Sequence, residues 1–221
     1  MAKDQTYPSY SRAERIADGV IHCTGVAVSM LAVPVLITLV AVWHGDAPNV
    51  SAVSIYGVSL IAMFAISAAY HIGGDWRWRD VLRRLDHSAI YILIAGTYTP
   101  FAIYAGGEGA AWLLTGIWAA AATGVSLQIL AYQRLEWLAI VLYLSMGWSI
   151  VLFGGPIMDA LSAPTIVLIT TGGMLYTLGV GFHLWRRLPY HNAIWHGFVL
   201  TASFVFYAAV LVESRVVALA G

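Results

Sequence analysis

Long apolar runs separated by short polar knots make up most of the chain, and the runs are similar in length. Seven can be marked, at about Val20–Trp43, Ser54–His71, His87–Ala105, Ala110–Leu130, Trp137–Phe153, Pro164–Trp185 and Asn192–Val212. A helix needs ~20 mostly apolar residues to cross ~30 Å of hydrocarbon, so each run is near the length of a membrane span. The runs are continuously apolar and lack the period-two alternation of barrel strands, which leaves helices as the elements that can satisfy their backbone in lipid. Turn residues fill the gaps, as in Gly45-Asp46-Ala47-Pro48-Asn49, Gly73-Gly74-Asp75, Gly106-Gly107-Glu108-Gly109, Gly154-Gly155-Pro156 and Leu188-Pro189. The pattern predicts an all-α integral membrane protein with a polar segment over residues 1–19, one seven-helix transmembrane domain over 20–212 and a short tail over 213–221. The first run, at 24 residues, exceeds a signal-peptide core and reads as a retained helix.

Composition narrows the class. Hydrophobic residues are 60% of the chain, charged residues 10%, and the mean hydropathy is +0.79. Too few charges are present to clothe a soluble domain. Eleven Lys and Arg balance eleven Asp and Glu, without the basic excess that a phosphate backbone demands, so nucleic acid is not an expected partner. The single cysteine, Cys23, excludes a disulfide framework or a cysteine metal cluster, and any metal site must use histidine and carboxylate. Gly116, Ala120 and Gly124, and likewise Gly173, Thr177 and Gly181, form small-residue rows that let helices approach. Pro34 and Pro100 fall inside runs as expected kinks, and most tryptophans fall at run ends, as interfacial anchors do.

Charge placement orients the bundle. The N-terminus and the second, fourth and sixth loops hold Lys3, Arg12, Arg15, Arg77, Arg79, Arg83, Arg84, Arg134, Arg186 and Arg187, against Arg215 alone on the other side. The positive-inside rule places the N-terminus in the cytoplasm and, after seven spans, the C-terminus outside. In this orientation His22, His71, His87, His183, His191 and His196 share the cytoplasmic end, with His44 opposite. Each alone is explained as an interfacial group. Together they are the ingredients of a metal site: Ser67 and His71 share one face of the second helix, Asp86 opens the third, and His191 and His196 open the seventh. Imidazole suits zinc, and a catalytic zinc keeps three protein ligands and an open position beside a carboxylate.

The segments Ser67-Ala-Ala-Tyr-His71, Leu85 to Phe101 and Asn192-Ala-Ile-Trp-His-Gly-Phe-Val199 resemble the signature blocks of the bacterial hemolysin III family. That family is grouped with the progestin and adipoQ receptors, including the adiponectin receptors, and more distantly with the alkaline ceramidases. The resemblance runs from about Glu14 to Val212. It implies a seven-helix bundle holding zinc near the cytoplasmic face, with His71 and His196 as ligands, Asp86 bonded to a zinc-bound water and Ser67 beside them. The third ligand departs from the family's His-x-x-x-His pair, because Asn192 stands four before His196 and the histidine, His191, stands five before. A spacing of five on a regular helix separates side chains by about 140°, a spacing of four by about 40°. His191 fits as third ligand if it lies outside the helix with Asn192 as N-cap. Otherwise Asn192, Asp86 or another histidine of that end completes the site.

For function, the resemblance implies a multi-pass protein of the bacterial inner membrane acting in lipid homeostasis. One expectation is a zinc-dependent, ceramidase-like hydrolase of a membrane lipid amide or ester. Asp86 and Ser67 would be its catalytic residues, and an acyl chain or ceramide-like lipid would lie in the bundle. A second is a non-enzymatic lipid sensor or receptor-like protein with structural zinc. A pore-forming cytolysin, as the family name has it, fits less well, because no helix carries a charged stripe to line an aqueous pore.

Overall fold

Helix caps decide where the spans begin and end, and they carry the helices well past the apolar runs. The computed structural model describes residues 10–73, 77–130 and 136–220, so Lys3, Gly74, Asp75 and Arg134 of the reading above lie outside it. The helices among the described residues are α1 (Arg12–His44), α2 (Ala47–Ile72), α3 (Arg79–Ala105), α4 (Gly107–Leu130), α5 (Glu136–Phe153), the short α6 (Gly155–Ala160), α7 (Ala163–Leu184) and α8 (His191–Ala220). No strand occurs among these residues. Six helices, α1 to α4, α7 and α8, are long and apolar enough to cross a membrane, while α5 is shorter, with Trp137–Phe153 as its apolar stretch.

α1 opens with a capping box. Glu14 N–H donates to Ser11 Oγ at 3.2 Å, and Ser11 N–H donates back to Glu14 Oε2 at 2.8 Å, an arrangement that stabilises a helix start by about 1 kcal/mol. The polar residues up to Asp18 are therefore helical. The helix ends at Gly45, whose left-handed φ of 69° suits a residue without Cβ. Asp46 then caps α2, accepting Asn49 N–H at 2.9 Å, and these bonds hold its exposed carboxyl below the usual range.

α8 continues past Val212 to Ala220, so residues 213–220 are helix rather than tail. Glu213 is 1% exposed there. The short α6, begun by Gly155 and Pro156, occupies what reads in the sequence as a turn. Pro34 and Pro100 lie inside unbroken helices.

In space α2 packs between α1 and α3, α3 on α4, α7 on α8, and α8 closes back onto α1 and α3. The small-residue rows divide. A Cβ at Gly124 would lie 2.5 Å from the Tyr91 ring, whereas one at Gly116 would meet nothing within 4 Å, so only part of the row is a contact. Two mid-helix tryptophans bond across helices, Trp118 Nε1–H to Thr99 Oγ1 at 3.3 Å and Trp148 Nε1–H to Thr177 Oγ1 at 3.1 Å. Such bonds are common interhelical contacts where lipid offers no partner. α1, α3, α5 and α8 start, and α2, α4 and α7 finish, at one end of the bundle, here the basic end; His44 and the α7 start lie at the opposite end.

Candidate metal centre

Four side chains from three helices converge at the basic end. The capping box sets the register of α1 so that Asp18 and His22, one turn apart, share a buried face, at 8% and 3% exposure. Glu14 Oε1 accepts Tyr190 N–H at 3.0 Å, which pins this start of α1 to the turn before α8. Tyr190 is the one non-glycine described with positive φ, at 60°, and this bond helps hold a conformation that costs energy at a tyrosine. α2 delivers His71 in its last turn, and α8 delivers buried His196. One donor atom from each of Asp18, His22, His71 and His196 lies within 4.8 Å of those of the other three.

The carboxylate of Asp18 sits among the rings. His196 Nδ1 lies 2.6 Å from Asp18 Oδ1, so Nδ1–H donates and Nε2 keeps its lone pair. His71 Nδ1 lies 3.3 Å from Asp18 Oδ2, and its Nε2 faces Asp86 Oδ2 at 3.8 Å. Asn192 Nδ2–H donates to Asp18 Oδ2 at 3.2 Å. His22 Nε2 is 3.6 Å from Asp18 Oδ2 and has no hydrogen-bond partner although it is buried. The charge on Asp18 is also felt by Tyr10, whose phenol is pushed above its usual range, chiefly by burial and secondarily by Asp18.

These residues fit a metal ion. An orphaned, fully buried imidazole nitrogen costs about 1–3 kcal/mol of lost hydrogen bonding unless something binds it, and His22 Nε2 is such an atom. Three imidazoles and a carboxylate suit zinc and its first-row neighbours.

Of the residues expected from sequence, His71 and His196 are in the group. Asp86 is next to it, and the Ser67 hydroxyl bonds the Asp86 carboxylate. His191 is not in the group. α8 starts at His191, so the helical spacing of five holds and its ring turns to Tyr10, 5.9 Å away, where Nδ1 has no partner. Asn192 reaches Asp18 instead. His87 bonds its own helix through Arg83 O at 3.1 Å, and His183 packs on Trp195. Asp18 is the residue that sequence reasoning missed; its spacing of four from His22 repeats that of Ser67 and His71 and was the available signal.

An apolar cavity of about 150 Å³ abuts this group, with Ser67, Asp86 and His196 in its wall and Phe101 and Ile169 further along. From Asp86 to Phe101 α3 advances about 22 Å at 1.5 Å per residue. A family model described as "Haemolysin-III related" matches residues 11–207.

The chain belongs to the haemolysin-III-related family. Among its relatives, "Hemolysin-3 homolog" of Bacillus subtilis is 36% identical over 201 residues, covering 90% of this chain and 93% of that one. "Hemolysin-3" of Bacillus cereus is 37% identical, covering 90% of each. The human "Monocyte to macrophage differentiation factor" is 32% identical over 165 residues, 71% of this chain and 67% of the relative. The haemolysin-III match takes in Asp18, His22, Ser67, His71, Asp86, Asn192 and His196.

Proposed function

We propose that this haemolysin-III-related protein is a zinc-dependent hydrolase that cleaves an amide or ester bond of a membrane lipid, in the inner membrane of a bacterium and in the service of lipid homeostasis. α5 serves as the seventh span, with the N-terminus in the cytoplasm and the metal centre near that face. The observation that carries the reading is the shared wall: Ser67, Asp86 and His196 line one part of an otherwise largely apolar cavity. An acyl chain lying in the cavity brings its carbonyl to those polar groups, and the surrounding apolar side chains exclude bulk water.

His71 and His196 hold the zinc in this reading, and zinc there supplies Lewis acidity. Asp86 accepts the proton of the attacking water at Oδ2. The Ser67 hydroxyl bonds the carboxylate, and His71 Nε2 lies 3.8 Å away. Water adds across the bond, so the fatty acid leaves with one oxygen from water and the amine or alcohol takes the proton.

The test compares wild type with Asp86→Asn in nanodiscs, using ceramides and phospholipids and measuring released fatty acid. The expectation is retained zinc with release reduced about 10²–10⁴-fold, the usual contribution of a general base. Equal release by both proteins, or release that survives chelation, contradicts the reading. A second reading is a structural zinc in a lipid-responsive protein, supported by the donors' arrival from three helices, α1, α2 and α8. It expects no turnover in wild type and a melting temperature that falls with metal removal.

A further inference from the structure

We infer that His22 of α1 supplies the third imidazole of the metal centre, and that Asp18, held by Asn192, is the carboxylate that positions His196. This rests on the proposed metal centre and names the donor that the sequence left open. Three observations carry it. His22 Nε2 is buried, lies among the other rings and has no hydrogen-bond partner. The three imidazoles form a near-equilateral group, with ring centroids 4.8 Å apart for His22 and His71, 4.4 Å for His22 and His196, and 4.5 Å for His71 and His196. Asp18 is engaged differently: its 2.6 Å separation from His196 Nδ1 is a charge-assisted hydrogen bond, much shorter than a ligand–ligand edge. A carboxylate bonded to the far nitrogen of a ligating histidine fixes the ring's tautomer and raises its basicity.

The assignment also gives Asn192 a purpose. Its amide donates to Asp18 Oδ2 at 3.2 Å and approaches His196 Nδ1 within 3.4 Å. Since that nitrogen's proton is already given to Asp18, the second approach is proximity and not a bond. Asn192 is thus a positioning residue for Asp18, and its amide ends 3.2 Å from the same carboxylate oxygen that His22 and His71 face. Three imidazoles leave a fourth position open, as a catalytic zinc requires.

The experiment uses the full chain purified in detergent with zinc supplied. It measures zinc content, affinity against a competing chelator, and the number of imidazole ligands by X-ray absorption at the zinc edge. Wild type is expected to hold zinc through three imidazoles. His22→Ala should fall to two and lose more than ~100-fold in affinity, beyond the ~10–100-fold that outer partners contribute. Asp18→Asn should keep three imidazoles and weaken binding by ~10–100-fold, and His191→Ala should change neither. The double variant His22→Ala, Asn192→His should regain a third imidazole and most of the lost affinity, which a mere folding defect at His22 would not allow. Unchanged affinity and ligand count in His22→Ala overturns the assignment while leaving a lipid hydrolase standing. Wild type without zinc overturns both, and zinc held through His22 with no lipid turnover overturns only the hydrolase.

Discussion

The two ends of the bundle both bury ionisable groups, and they treat them in opposite ways. At the end where α7 starts, Glu213 is buried on α8 yet its carboxylate accepts Ser162 N–H at 3.1 Å and Ser162 Oγ–H at 2.7 Å. Ser162 is the N-cap of α7 and makes no capping bond of its own, so Glu213 caps that helix from a neighbour and adds a negative charge at its N-terminus. Around it, His44 Nε2–H donates to Ser214 O at 2.8 Å, and Tyr104 and Ser214 hydroxyls meet at 2.6 Å. That network closes on itself. At the basic end Asp18 is shared among three histidines, and His22 Nε2 receives no bond. A buried polar group that is fully bonded holds helices together, whereas converging donors with an orphan among them could hold a metal ion.

The largest contrast expected between the ends is which side of the membrane each faces. A cysteine at Asn49, in the Cys23→Ser background, should be labelled by an impermeant thiol reagent on intact cells, and one at Arg79 only after permeabilisation. The reverse pattern would put the metal centre outside. Next in size is Glu213→Ala, which strands the α7 start and should cost about 1–3 kcal/mol, read as a lowered melting temperature in detergent, with zinc content unchanged. A loss of zinc there would mean that the ends are coupled. Smallest is His44→Phe, which removes the hydrogen bond to Ser214 O and the long one, 3.4 Å, from Asn49 Nδ2, and should cost about 0.5–1.5 kcal/mol, again without effect on zinc. Because the ends lie far apart, the Glu213→Ala loss and the destabilisation caused by chelating zinc should add within about 0.5 kcal/mol.

Spacing made half of the centre legible in the sequence. Ser67 and His71 lie one turn apart on one face of α2, and the resemblance to the family, not helical geometry, joined them with Asp86 and His196. Asp18 and His22 also lie one turn apart, but their part depends on α1 meeting α8 across more than 170 residues of chain, and no local pattern encodes that closure. His191 illustrates the same geometry from the other side: its offset of five from His196 turns it away once α8 includes it. Hydropathy located the long helices because lipid imposes their length. It placed the end of α8 too early, at Val212, since a window treats Glu213 as the edge of a span, whereas the structure buries that charge by bonding it. The short α6 has too few residues to register at all.

Elemental analysis of the purified chain, as wild type and as the His71→Ala, His196→Ala double variant, tests the metal centre most directly. Close to one zinc per wild-type chain, and almost none in the double variant while α-helical content is retained, is the expected result. Zinc undiminished in the double variant, or absent from a wild-type protein purified without chelators and with zinc supplied, would contradict a metal centre built on these histidines.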